Sequence, residues 1–344
     1  MASSPLRFAP FDESVAAPNV VVDGSSNPET VLVLSHWPGV PAPPACAADS
    51  STQMAFRYLD RGADLHAGAE LVTNNHFDQD GLAGVYALTV PEDALRRREL
   101  VEGLAHAGDF AVCQDLCAAR LSMAVAALAD PERSPLGALP DDDGARCEAL
   151  YRSGLELLPG WLADPESCRS LWEEEDGQLQ AGLAAVASGS VGIVEDPELD
   201  LAIVTLPVGR RSSGHRFVHR TFHGVHPIAL HAVAEQTTLL TIDPDGGRHH
   251  LTCRYEGWVQ FRSRPIRPRV DLRPLALRLD DLETAGARWK ATGPDDLTPE
   301  LFTAAEGPAS SLAPPDLVGA VTEHLRLAPP AWDPYRVEVH EQIP

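Results

Sequence analysis

Three short β-branched runs, each stopped by turn chemistry, constrain this chain more than any other feature. NVVVD at 19–23 and VLVL at 31–34 are too short for helices and carry uninterrupted apolar stretches, which is how strands buried on both faces of a parallel sheet read. After the loop VPAPPACAA, the polar cluster Asp49–Ser50–Ser51–Thr52 supplies an N-cap for a helix over TQMAFRYLDR. A third strand, AELVTNN, then leads through the turn HFDQDG into a helix, LAGVYAL. Strand, loop and helix in repetition predict an α/β fold with a parallel sheet.

At 344 residues the chain suits two domains rather than one core. The pattern predicts a parallel-sheet α/β domain over 1–130 and a helical connector over 131–190. A second, smaller α/β domain follows over 191–305, then a Pro/Ala-rich tail over 306–344 with one short helix, LVGAVTEHLRL. No apolar run of about 18 residues is present, so no membrane span is expected. The N-terminus MASSPLRFAPFDES lacks a basic segment followed by an apolar one, and the six cysteines are scattered. Both point to a soluble, cytoplasmic protein with reduced thiols. A net charge of -23 would repel a long polyanion, so genome-scale nucleic-acid binding is not expected, whereas a short phosphorylated substrate held locally is compatible. Lys290 is the only lysine among the 27 basic residues, so arginine enrichment alone does not signal phosphate recognition.

The candidate chemistry sits in LVTNNHFDQDGLAGVYAL. A strand would deliver the chain to the sheet edge where ligands of α/β folds bind. His76, Asp78 and Asp80 then fall at alternate positions, which an extended backbone points the same way. One histidine with two carboxylates suits Mn²⁺ or Mg²⁺. The alternative is a polar turn capping the next helix, with Asp80 at the cap, where the helix dipole favours a carboxylate.

These residues resemble the DHH phosphoesterase superfamily. His76, Asp78, Asp80 and Gly81 match its His-x-Asp-x-Asp-Gly motif, Asp23 resembles its lone strand-end Asp, and His36 in TVLVLSHW resembles the central His of its Asp-His-His motif. DSSTQMAFRYL is similar to the helix that follows, and Asp109 in LAHAGDF to its late Asp. The motif normally first comes third here, as in a circularly permuted core. The resemblance implies Asp23, His76, Asp78 and Asp80 as metal residues, with His36 and Asp109 as catalytic residues or further ligands. Ser35 and Trp37 depart from the family's Asp and His, which supports one cation better than two. Taken by themselves, Asp23 also fits a plain Asp-Gly turn, His36 a packed strand-end histidine, and Asp49 either a carboxylate ligand or a helix cap.

The DHH family also carries a C-terminal substrate domain with an arginine strand and a glycine-rich segment. By order, CRYEGW places Arg254 like that arginine, and AGARWKATG stands where the glycine-rich segment does. Gly286, Arg288 and Lys290 would then join Arg254 on a small phosphorylated substrate, the alternative being surface basics around a structural turn. His215, His219, His223, His226 and His231 form a histidine-rich stretch that reads as a polar loop. The whole chain also resembles a family of uncharacterised actinobacterial proteins, which lends no function. The function implied by the resemblance is metal-dependent hydrolysis of phosphoester or phosphoanhydride bonds. The alternative is a degenerate relative that binds metal, nucleotide or a partner without turnover.

Overall fold

The computed structural model describes residues 5–61, 65, 68–207 and 225–337; His215, His219 and His223 lie outside them. The chain is mixed α/β and divides into two units. The first runs to Gly177 and takes in Phe261–Arg264; the second comprises Gln178–Gln260 and Pro265–Val337.

The first unit is built on four strands, β1 (Arg7–Phe8), β2 (Asn19–Val22), β3 (Thr30–Leu34) and β4 (Leu71–Thr73), in the order β1-β4-β2-β3. All are parallel. The expected strands 2 to 4 thus share one parallel sheet, with β2 between the other two. The two-residue β1 extends the sheet past β4 and is too short to carry a sequence signal. Between β2 and β3 only residues 23–29 intervene, fewer than the dozen or so of a usual parallel crossover. The shortness of both strands permits this, since seven extended residues reach about 23 Å and a four-residue strand rises about 13 Å.

Helix α1 (Ser51–Arg61) joins β3 to β4, and α2 (Gln79–Thr89) follows β4. Helix α2 is buried from Gln79 through Leu88, a helix closed in on all sides. Its approach to the sheet depends on Gly84, where a Cβ would lie 2.5 Å from Val22 Cγ1. Helices α3 (Pro91–Arg96), α4 (Arg98–Asp109), α5 (Leu116–Ala129) and α6 (Asp143–Ala163) complete the layer, and the unit boundary falls inside α7 (Arg169–Ala187). Pro159 lies inside α6 without ending it.

The second unit holds β5 (Gly192–Asp196), β6 (Leu201–Thr205), α8 (Pro227–His231), β7 (Thr238–Ile242), β8 (His250–Cys253), β9 (Arg269–Val270), α9 (Arg273–Leu282), β10 (Trp289–Ala291), β11 (Glu300–Thr303), α10 (Pro314–Leu327) and β12 (Pro330–Trp332). Its six-stranded sheet runs β10-β11-β8-β7-β6-β5, with only β6 and β7 parallel. Leu275 and Leu279 of α9 and Leu317, Val321 and Leu325 of α10 bury against Leu240, Leu251 and Leu301 of the sheet. Residues past 305 therefore contribute a core helix. Among the described residues no helix is long and apolar enough to cross a membrane.

Candidate metal centre

Parallel register brings the carboxyl ends of β2, β3 and β4 level: Val22 pairs with Leu34, and Val21 with Thr73. The residues just beyond those ends therefore meet. Asp23 follows β2 directly in a left-handed conformation with φ 54°, His36 lies two residues past β3, and His76 lies three past β4. Asp78 and Asp80 begin α2, and Asp109 ends α4.

Asp23 is the shared member. Its Oδ1 lies 3.4 Å from His36 Nε2 and accepts a hydrogen bond from Ser51 Oγ at 2.8 Å, while its Oδ2 lies 3.3 Å from His76 Nε2. His36 Nε2 is also 3.9 Å from Asp80 Oδ2 and 3.6 Å from Asp109 Oδ2, and His76 Nε2 is 3.1 Å from Asp78 Oδ2. Two triads result, Asp23–His36–Asp80 and Asp23–His76–Asp78, each with ligand atoms within 4.8 Å of one another. The first is buried and the second half-buried.

The sequence readings of Asp49 and Asp80 as caps of their own helices need correction. Ser50 caps α1 through Gln53 N–H, and Asp78 caps α2 by accepting Gly81 N–H at 2.7 Å. Asp80 instead reaches across to the start of α1, where Oδ2 accepts Ser51 N–H at 2.7 Å and Oδ1 accepts Thr52 N–H at 2.8 Å. Asp49 turns away from its helix: its Oδ1 accepts the amides of Arg262 and Ser263 at 2.6 and 2.8 Å. Its carbonyl receives His36 Nδ1–H at 2.5 Å, which aims Nε2 at the carboxylates. Phe261 packs edge-on to Phe110, which in turn meets the His36 ring. No local signal announces this contribution from more than two hundred residues away. Ser35, where the DHH resemblance lacks its Asp, is buried with Oγ accepting Trp37 N–H, and the Trp37 ring lies 5.2 Å from that of His76.

Electrostatics set the chemistry of the cluster. Four carboxylates face two imidazoles, and among the described residues no Lys or Arg ion-pairs with Asp23, Asp78, Asp80 or Asp109. Burial disfavours charge on Asp23, but hydrogen bonds from His36 and His76 overcome it and hold the carboxyl far below its usual range. Asp80, pressed by burial and by the Asp23 charge, is pushed up to about 6. Asp109 is driven well above the carboxylate range by burial and by the charges of Asp80, Asp78 and Asp23. Burial opposes charging both histidines, yet neighbouring carboxylates raise their pKa values. Such a concentration of like charge is stable only with compensating positive charge, as protons or as cations. Asp109 Oδ2, buried and without a hydrogen-bond donor, fits an oxygen-preferring cation, as does the carboxylate–histidine donor set.

The expected substrate residues all lie in the second unit. Arg254 is buried, ion-paired with Glu256 and donating to Ala234 O, so its charge is already matched, contrary to a role on substrate. Burial following β8 explains this, since a guanidinium there needs an internal carboxylate. Arg288 and Lys290 are exposed and pair with Asp280 and Glu306, while Gly286 adopts φ 79° in an open turn. His226, from the histidine-rich stretch, caps α8 through Ile228 N–H.

No curated protein and no solved structure matches the chain. A family profile matches it over residues 4–336, and the chain belongs to that family, described as Family of unknown function (DUF6687).

Proposed function

We propose that the chain is a cytoplasmic, metal-dependent hydrolase of phosphoester or phosphoanhydride bonds, as its resemblance to the DHH phosphoesterases implies. Its substrate would be a small anion: a nucleotide, a short oligonucleotide or polyphosphate. The observation that carries this reading is Asp23, whose two oxygens face two different histidines and so join two triads into one centre. That arrangement supports two cation positions sharing one carboxylate, with Mn²⁺ or Mg²⁺ as the ions suited to the donors. His36, Asp80 and Asp109 would hold the buried position, and His76 and Asp78 the half-buried one. Bound cations would polarise a phosphoryl oxygen and make water nucleophilic at neutral pH. Asp49 keeps His36 in the tautomer that leaves Nε2 for the centre, and Ser51 fixes Asp23 Oδ1. The six free thiols accord with a reducing compartment.

Trp37 against His76 favours a second reading, cation binding without turnover, because a neutral indole stands where the DHH motif has a histidine. Metal analysis of the purified protein, then phosphatase and nuclease panels with Mn²⁺, separates the readings. Metal with turnover that Asp23→Asn abolishes is the expected result. Metal without turnover selects the second reading, and no divalent metal at any concentration refutes both.

A further inference from the structure

The buried imidazole of His36 is backed by a segment far from it in sequence. Phe261–Arg264 belongs with the first unit, although the residues on either side of it belong to the second. Asp49 fixes it there, because Oδ1 accepts Arg262 N–H at 2.6 Å and Ser263 N–H at 2.8 Å, two charge-assisted bonds on one oxygen. The carbonyl of the same residue accepts His36 Nδ1–H at 2.5 Å. A second arm runs through rings: Phe261 stands edge-on to Phe110 (centroids 5.3 Å), and Phe110 edge-on to His36 (6.0 Å). Both arms end on one imidazole, whose Nε2 faces Asp23, Asp80 and Asp109 at 3.4, 3.9 and 3.6 Å. An aspartate at a helix start ordinarily turns back onto its own helix, but here Ser50 does that for α1. Stability alone would not require that the residue gripping the segment also be the one whose carbonyl grips the histidine.

We propose that Phe261–Arg264 is a positioning element of the cation centre. Through the Asp49 carboxylate it fixes the carbonyl that orients His36, and through Phe261 and Phe110 it backs the ring. Nε2 is thereby presented to the buried cation position rather than turned off its carboxylates. Partners of the far nitrogen of a metal-binding histidine typically govern about 10–100-fold of metal affinity. This inference rests on the cation reading given above.

The test is calorimetric titration of the full chain with Mn²⁺ in wild type, Asp49→Ala, Asp49→Asn, Phe261→Ala and Asp93→Asn, with cation-free melting curves beside it. Asp49→Ala frees the segment and should bind Mn²⁺ at least about 10-fold more weakly. Asp49→Asn keeps an oxygen that can accept both amides, so it should restore most of that affinity. Phe261→Ala cuts the ring arm at its remote end without touching Asp49, and it should also bind more weakly. Asp93→Asn removes a carboxylate from α3, and it should melt earlier while binding Mn²⁺ like wild type. A loss below about 10-fold in Asp49→Ala overturns the proposal, as does wild-type binding by Phe261→Ala. Equal weakening in Asp49→Asn also overturns it, since charge rather than the hold on the segment would then matter. Equal weakening in Asp93→Asn would reduce the effect to lost stability. Wild type that takes up no Mn²⁺ defeats the cation reading itself, and this inference with it.

Discussion

Asp80→Asn tests whether the buried carboxylate serves the fold, a cation or both. The side chain accepts two amides of α1, from Ser51 and Thr52, and lies 3.9 Å from His36 Nε2. Asparagine keeps one acceptor and turns an N–H₂ group towards the other amide. Losing that charge-assisted bond costs about 1.5–3 kcal/mol, far above an exposed cap. Against this, the substitution removes one of four clustered negative charges. Two unit charges about 4 Å apart repel by about 4 kcal/mol at an effective dielectric near 20, so the cation-free protein should change by no more than about 2 kcal/mol. Added cation separates the roles. At a Mn²⁺ concentration about 100-fold above Kd, wild type gains about 2.7 kcal/mol, and a variant with Kd raised about 100-fold gains about 0.4 kcal/mol. For a unit of this size those gains are about 5–10 °C and about 1 °C in Tm. Scanning fluorimetry of the full chain with EDTA and with Mn²⁺ reads both numbers. An equal Mn²⁺ shift in the two proteins would reduce Asp80 to a structural clamp on α1 and remove it from the centre.

Three further outcomes follow from local geometry. Gly84→Ala would set a methyl 2.5 Å from Val22 Cγ1 and should cost about 1–3 kcal/mol by overpacking, read from urea unfolding; unchanged stability would mean that α2 does not rest on β2 as described. Asp93, bonded by Tyr86 and Arg96 ahead of Arg97, is lowered from 3.8 to about 2. Its contribution to stability is therefore present above pH about 4 and fades as the pH falls through about 2, and Asp93→Asn should flatten the melting profile across that window. Glu256→Gln would strip the buried Arg254 guanidinium of its carboxylate and should cost about 3–5 kcal/mol, whereas a loss below about 1 kcal/mol would place that pair in water.

How much of this was legible follows from the range of each signal. The strands at 19–22, 30–34 and 71–73 were readable because each carries a short apolar run, although β3 is buried only at Leu32 and Leu34 and leaves Val31 exposed, and His76, Asp78 and Asp80 because their spacing is local. What the sequence could not show is which oxygen meets which amide. Asp78 and Asp80 look alike as caps, and only the packing of α2 beside α1 assigns one to Gly81 and the other to Ser51 and Thr52. Asp49 looked like a cap for the same reason, since nothing near it foretells amides that arrive at 262 and 263. Arg254 misled in the opposite sense: following a strand it resembled a substrate contact, but two residues later Glu256 folds inward to match it. Tyr151 carried no signal at all, being one of two aromatics in a helix of mixed apolar and charged residues, and its place against Gly81 depends on Phe8, Phe77 and Asn74, drawn from distant segments. Local chemistry thus names the residues that can bind an ion, while long-range packing decides how each is held. Two segments, α6 through Tyr151 against Gly81 and Phe261–Arg264 through the amides on Asp49, thus come to the surroundings of the centre by packing alone, without any motif.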